Sequence, residues 1–385
     1  MLEIHNDMEY AKLQDKCRGS LVGGAAGDAL GYEVEFMSLP SILKQFGEKG
    51  ITRYVTYNGV ADFSDDTQMT LFTAEGLMNG IIDTKAGKPE EILPYIERAY
   101  IAWYKTQNEL PHVIDGSWLS NVKMLWSRRA PGNTCMGALE NISHGIEFKN
   151  NSKGCGGVMR VAPIGIFNAA HPHIYKYEDT AHLAGWTAEI THHHIASTFA
   201  SALMATTVEN CIQDEKVDRT VFGWIVDGGL SLMNQYFPGH EDELRGFITL
   251  MRRAMELGKS EVPERDAIRE LGEGWVGDEA LAIAVFSVMR HIDNFEDCIV
   301  CAVNHDGDSD STGAIAGNII GAILGYSAIP KYYIENLGIE PVLFSVADDL
   351  CADVRIREVN LRVSDRYVKH IPMEVESKYL INSSK

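Results

Sequence analysis

Two stripes of glycine near opposite ends of the chain constrain its fold more than any other feature. Their members are spaced four residues apart: Gly23, Gly27 and Gly31 in the first stripe, and Gly313, Gly317, Gly321 and Gly325 in the second. That spacing places each stripe on one face of a helix. A glycine costs a helix about 1 kcal/mol relative to alanine, so close packing or a ligand must offset the loss. We expect the stripes to bring the two helices together at one centre.

The hydrophobic pattern elsewhere predicts more helices and few strands. Helical periodicity appears in residues 16–32, 64–80, 89–106, 178–210, 241–258, 277–291 and 310–326. No linker rich in proline or serine divides the chain. The sequence therefore predicts one all-α domain over residues 1–385. Its motifs lie within about residues 16–330, followed by a helical or irregular C-terminal extension.

Charge and hydropathy exclude several classes of protein. The formal net charge is −20, which disfavours nucleic acid and anionic membranes as partners. Residues 1–10 lack the basic and apolar regions of a signal peptide. Residues 311–330 are apolar but contain Asn318 and follow a charged segment, so we predict a buried helix there rather than a membrane span.

The seven cysteines do not form a recognisable metal or disulfide framework. Their number is odd, and Cys298 and Cys301 form a lone CxxC pair without a second pair or a pair of histidines at zinc-finger spacing. We predict reduced, partly buried thiols in a cytoplasmic protein.

Two acidic clusters are the strongest indication of chemistry. The first consists of Ser64, Asp65, Asp66 and Thr67, and the second contains Asp306, Asp308, Ser309, Asp310, Ser311 and Thr312. Each directly precedes a helical run, so helix capping explains either cluster alone. Together they offer the oxygen ligands that Mg²⁺ and Mn²⁺ prefer, and two such clusters can build a two-metal site. The second is not an EF-hand loop, because Ser311 and Gly317 occupy the positions that need glycine and glutamate.

Three further features have both a ligand-binding and a structural interpretation. Gly154, Gly156 and Gly157 form a loop whose N–H groups could bind phosphate, or a simple turn before a helix. The consecutive residues 192–194 are all histidine, and neighbours on a helix point about 100° apart, so the triplet cannot chelate one metal. Trp275 packs either near a ligand or in the core.

Six segments together resemble the ADP-ribosylglycohydrolase family, in the family's order. They are residues 27–31, 64–67, 154–160, 190–194, 272–275 and 307–313. The resemblance implies a compact, orthogonal multi-helix domain with a central di-metal cleft. It implies that two Mg²⁺ ions, replaceable by Mn²⁺, are held by Ser64, Asp65, Asp66, Asp308, Asp310 and Ser311. It places Glu35, Gly154, Gly156, Gly157, His192 and Trp275 at the substrate, with the glycine loop along the diphosphate of ADP-ribose.

The same resemblance implies an activity. The chain is expected to hydrolyse the N-glycosidic bond between ADP-ribose and a modified protein side chain, with Asp65 or Asp66 as the catalytic base and free ADP-ribose as product. Ser64, the Asp-Ser-Asp-Ser run from Asp308 and the histidine triplet resemble the arginine-specific branch. ADP-ribosyl-serine, O-acetyl-ADP-ribose and ADP-ribosylated nucleotides remain alternative substrates, and a non-catalytic ADP-ribose-binding protein remains an alternative of another class.

Overall fold

The computed structural model describes residues 2–85, 87–174 and 176–352, with side chains from residue 8 onward. In that part of the chain helices dominate, which confirms the all-α prediction. The α-helices are α1 Leu2–Gly31, α2 Leu39–Phe46, α3 Asp65–Thr84, α4 Pro89–Asn108, α5 Asn133–Ser143, α6 Ala162–Ala170, α7 Tyr177–Glu189, α8 Ile195–Gln213, α9 Arg219–Tyr236, α10 Glu241–Lys259, α11 Glu264–Leu271, α12 Gly277–Arg290, α13 Phe295–Val303, α14 Ser309–Leu324, α15 Lys331–Glu335 and α16 Glu340–Cys351. The strands β1 Thr56–Tyr57 and β2 Val60–Ala61 pair in antiparallel fashion.

The two glycine stripes face each other where α1 and α14 cross the centre of the molecule. A Cβ atom added to Gly27 would overlap the carbonyl oxygen of Gly313, and one added to Gly317 would overlap that of Gly23. Backbone therefore touches backbone, which confirms the close packing expected from the spacing. Gly325 has a different role: it ends α14 with a φ of 83°.

This contact is antiparallel and fixes which helix ends meet. A Cβ atom on Gly31, at the end of α1, would overlap the backbone of Ser309 at the start of α14. The second acidic cluster begins α14, so the packing of α1 carries it to the C-terminal end of α1. Helices α8, α12 and α13 pack around α14, and α16 packs against α1.

The prediction of one continuous helix over residues 178–210 is wrong. The chain forms α7 and α8, with a break at residues 190–194 that contains the three histidines. The Asn150 side chain holds the break by donating to the carbonyl of Thr191 and accepting from the N–H of His193. His194 then caps α8, since its ring accepts from the N–H of Ala196. The break is stabilised by groups distant in sequence.

The apolar segment after Asp310 is the buried helix α14, as predicted, and no helix in the described ranges has the length and apolar character needed to cross a bilayer. All seven cysteines are free thiols. Residues 331–352 of the predicted extension form α15 and α16, whereas residues 353–385 lie outside the described residues. A single domain over residues 1–385 stays a prediction.

Candidate active site

The first acidic cluster begins α3 and is fastened to α1 by Asp28. The fully buried Asp28 carboxylate accepts hydrogen bonds from the N–H of Ser64 (2.9 Å) and of Thr67 (3.0 Å), and from the Thr67 hydroxyl. Ser64 is the N-cap of α3, because its hydroxyl accepts from the N–H of Asp66 at 3.1 Å. Asp65 receives a bond from the N–H of Gly132 at 3.3 Å. The capping and ligand interpretations are thus compatible within one cluster.

The second cluster begins α14 in the same way. Asp308 is the N-cap and accepts from the N–H of Ser311 at 3.2 Å, while Asp310 accepts from the same N–H at 3.0 Å. Asp306 turns away from its neighbours and accepts from the N–H of Leu39 at 2.7 Å. Asp308, Asp310 and Ser311 are all buried at the centre of the fold.

The two clusters meet across the glycine contact. Burial, followed by the charges of Asp65, Asp28 and Asp308, raises the pKa of Asp66 well above its usual range, and Ser311 partly opposes the shift. Burial and the charges of Asp308, Asp66 and Glu35 likewise raise the pKa of Asp310. The pKa of Asp65 rises to about 8 through burial and the charges of Asp28 and Asp308. Each shift reflects carboxylates from both clusters in one low-dielectric space.

Glu35 joins this group from the turn that follows α1. Its pKa is raised to about 9, first by burial and then by the charges of Asp308, Asp65 and Asp28. Oε2 of Glu35 and Oδ2 of Asp66 are buried and make no hydrogen bond in the described part of the chain. Buried carboxylate oxygens without a donor are costly, and a divalent cation would satisfy them.

The composition of the cluster fits a hard divalent cation. Carboxylates and hydroxyls are the oxygen donors that Mg²⁺ selects, and a dication would offset the repulsion among these carboxylates. Within the described ranges, no three of these carboxyl groups have ligand oxygens all within 4.8 Å of one another. The predicted ligands Ser64, Asp65, Asp66, Asp308, Asp310 and Ser311 are therefore brought to one place, in an arrangement looser than a tight chelate.

The glycine loop lies directly beside the acidic cluster. Cys155 within the loop donates its thiol hydrogen to Oδ2 of Asp308 at 2.7 Å. The N–H of Gly154 donates to the Ser152 hydroxyl, and that of Cys155 donates to the carbonyl of Trp275. The predicted phosphate contact therefore depends on the N–H groups of Gly156 and Gly157.

The missing side chains of the loop glycines are explained by packing. A Cβ atom on Gly156 would lie 2.9 Å from Cε1 of His192, and one on Gly157 would overlap the Ser197 hydroxyl. The His192 ring is buried behind the loop, and burial with the charge of Arg160 lowers its pKa to about 3. His192 is therefore an uncharged side chain that packs behind the glycine loop. Arg160 is fully buried and donates to the carbonyl of Thr187, as a structural residue does.

Residues 272–277 join the glycine loop to the second acidic cluster. The carbonyl of Glu273 accepts from the N–H of Asp308 at 2.9 Å, and the carbonyl of Lys153 accepts from the N–H of Gly277 at 2.8 Å. Trp275 stands at the rim, 39% exposed, and its ring stacks on Phe36 with centroids 5.8 Å apart. Trp275 is thus a rim residue and not a core residue.

The sequence model of the ADP-ribosylglycohydrolase family matches residues 9–359. The chain belongs to this family. It is an ADP-ribosylglycohydrolase, a hydrolase of the glycosidic bonds of ADP-ribose.

Curated relatives and a solved structure match most of the glycohydrolase chain. The ADP-ribosylarginine hydrolase Tri1 of Serratia proteamaculans is 27% identical over 345 residues, covering 87% of this chain and 79% of the relative. The ADP-ribosyl-[dinitrogen reductase] glycohydrolase of Rhodospirillum rubrum is 24% identical, covering 86% and 92%. A solved structure described as an ADP-ribosylglycohydrolase-related protein complex has a TM-score of 0.60 at 22% identity, covering 89% and 98%. That structure supports the fold alone.

Two residues of the glycohydrolase site were missed by reasoning from the sequence. Asp28 lies within a segment that resembles the family, yet its role as the anchor of α3 depends on a contact across the fold. An acidic residue directly after Gly27 in a buried helix was the available signal. Cys155 was counted among ordinary thiols, and only the structure shows its bond to Asp308.

Proposed function

We propose that this ADP-ribosylglycohydrolase is Mg²⁺-dependent and releases ADP-ribose from modified arginine side chains of proteins. One observation carries the proposal: two acidic clusters from opposite ends of the chain share one buried space, and Asp66 and Glu35 contribute oxygens without a hydrogen-bond donor there. The choice of arginine is supported by the relative named ADP-ribosylarginine hydrolase.

The residues of the site suggest how the reaction is organised. Ser64, Asp65, Asp66, Asp308, Asp310 and Ser311 would hold the cations, which when bound supply Lewis-acid polarisation of the hydroxyls of the distal ribose. The surrounding carboxylates stabilise positive charge at C1″ as the bond to the guanidinium nitrogen breaks. Oδ2 of Asp66 is free to accept a proton from the attacking water, whereas Oδ2 of Asp65 already accepts from Gly132.

A substrate panel tests the proposed function. We expect release of ADP-ribose from an arginine-linked ADP-ribosyl peptide in Mg²⁺, none after EDTA treatment, and recovery when Mg²⁺ or Mn²⁺ is added back. A serine-linked peptide, O-acetyl-ADP-ribose and an ADP-ribosylated nucleotide serve as competing substrates. If one of these is turned over faster, it replaces ADP-ribosyl-arginine as the proposed substrate. Full activity after metal stripping would contradict the proposed metal dependence. Tight ADP-ribose binding without turnover of any substrate would favour a binding protein.

Replacing Trp275 by alanine should weaken substrate binding more than it slows the chemical step. The Trp275 ring lies at the rim of the candidate active site, and the carbonyl of Trp275 accepts from the N–H of Cys155 in the glycine loop. Stacking of such a ring on a substrate is worth about 0.5–1.5 kcal/mol. We therefore expect KM to rise by about 3- to 10-fold with little change in kcat. Trp224 on α9, 69% exposed, is the matched control, and Trp224→Ala should leave KM unchanged. Equal KM values for the two variants would remove Trp275 from the binding site.

A further inference from the structure

A second group of metal-binding side chains lies outside the acidic site. Glu264 is the first residue of α11, His291 follows the last residue of α12, and Cys301 lies on α13. Their ligand atoms all lie within 4.8 Å of one another, and no other group of three among the described residues meets that distance. The fold thus brings three kinds of metal ligand together from three helices.

We propose that Glu264, His291 and Cys301 form a binding site for Zn²⁺, separate from the candidate active site and independent of the proposed function. Imidazole, thiolate and carboxylate are the ligands that zinc takes in proteins, and three of them leave a fourth position for water. The two anionic ligands would neutralise the charge of the ion.

Zn²⁺ binding would replace protons that these three side chains now share, and their present contacts fit such a replacement. Nε2 of His291 lies 2.8 Å from Oε1 of Glu264, and the Cys301 thiol contacts the same carboxylate. One cation can replace the hydrogens that now link these groups, since zinc binding deprotonates a coordinating thiol. Glu264 and His291 also fit a simple ion pair at the start of α11, and titration with a metal ion separates the two interpretations.

Access and surroundings also suit a small ion. Cys301 is 4% exposed, whereas the Glu264 side chain is 42% exposed and lines a groove of about 950 Å³. An ion can therefore enter from the side of Glu264 and reach the buried thiol. The nearby guanidinium of Arg290 opposes a cation, but it is held by the carbonyl oxygens of Leu257 and Val262.

The position of the site suggests what zinc does. Helix α11 leads into Gly272 and the loop that contacts Asp308, and α13 leads into Asp308 itself. A metal that joins the start of α11 to α13 would fix two of the elements that position the second acidic cluster.

Titration with Co²⁺, a spectroscopic substitute for zinc, tests the site. The full chain is titrated in excess Mg²⁺, so that the acidic cluster is already supplied with its preferred cation. We expect one Co²⁺ per chain with a thiolate-to-metal charge-transfer band in the near ultraviolet, displaced by Zn²⁺. Absence of that band in the wild-type protein would overturn the proposal.

Three variants locate the ligands. Cys301→Ser should abolish the band, and Cys298→Ser should retain it. Cys298 is also buried on the same helix and is the matched control. Glu264→Gln, at a partly exposed position that does not threaten folding, should weaken Co²⁺ binding by at least about 10-fold, the lower end of the loss when a supporting metal contact is removed. A band that survives Cys301→Ser, or unchanged affinity in Glu264→Gln, would leave Glu264–His291 as an ion pair only.

Discussion

Replacing Asp310 by asparagine should abolish hydrolysis of ADP-ribosylated substrate while the protein stays folded. Asp310 lies buried among Asp308, Asp66 and Glu35, where its carboxylate would bind a cation through its negative charge. The amide keeps the shape of the side chain and removes that charge. Loss of one preorganised electrostatic contact lowers kcat by about 10²–10³-fold, and loss of a metal ligand should cost at least as much. Asp66→Asn should have an effect of the same size.

The same substitution should raise the melting temperature in EDTA. Burial and neighbouring carboxylates raise the pKa of Asp310 in the fold, so at neutral pH the fold must either keep a charge repelled by its neighbours or take up a proton. Both destabilise the folded state relative to the unfolded chain. An uncharged amide removes that repulsion. Differential scanning calorimetry would thus show a folded and more stable protein, which the hydrolysis assay shows to be inactive.

Asp306→Asn is the control for both measurements. Asp306 lies two residues before Asp308, but its carboxylate accepts from the N–H of Leu39, a bond that the asparagine oxygen can also accept. We expect normal activity and no gain of stability in EDTA. Near-normal turnover in Asp310→Asn and Asp66→Asn together would contradict the proposed site.

Gly27→Ala should cost the fold about 3 kcal/mol or more in free energy of unfolding. The new Cβ atom would overlap the carbonyl oxygen of Gly313, and that atom belongs to the backbone of a central helix. Overpacking in a well-packed core commonly costs about 1–3 kcal/mol, with larger values where backbone must move. Because Asp28 follows Gly27, a displaced α1 would also disturb the anchor of α3. Denaturant unfolding at equilibrium measures the loss.

Two exposed helical glycines provide the matched control. Gly228 on α9 and Gly246 on α10 have no atom within 4 Å of an added Cβ. Alanine at either position should stabilise the protein by up to about 1 kcal/mol, because it only improves helix propensity. If Gly27→Ala behaved like these two variants, the close contact between α1 and α14 would be refuted.

The sequence predicted those features that depend on local pattern. Ser64 and the carboxylates after it mark the start of α3, and the four-residue glycine spacing predicts a close contact between helices. The register of that contact could not be predicted. That Gly27 meets Gly313 and not another glycine of the second stripe depends on the whole packing arrangement.

Features held by distant contacts were missed or mistaken. The helical periodicity continues across residues 190–194, so the sequence predicts one helix where Asn150 stabilises a break. Asp28 is recognisable as an acidic residue in a buried helix, but nothing local indicates that it bonds to Ser64 and Thr67. Similarly, the sequence around Cys301 does not indicate a metal site, because Glu264 and His291 are close to Cys301 only in the folded chain.

The pairing of α1 with α14 also determines when, during synthesis, this enzyme becomes able to work. The first acidic cluster begins α3, whereas α14, which completes the site, is synthesised only after α4 to α13 have been made. Contacts between residues so distant along the chain form slowly, since a long loop must close first. A chain that lacks α14 lacks the second acidic cluster and leaves the glycine face of α1 uncovered, so we expect it to be inactive until α14 has packed against α1.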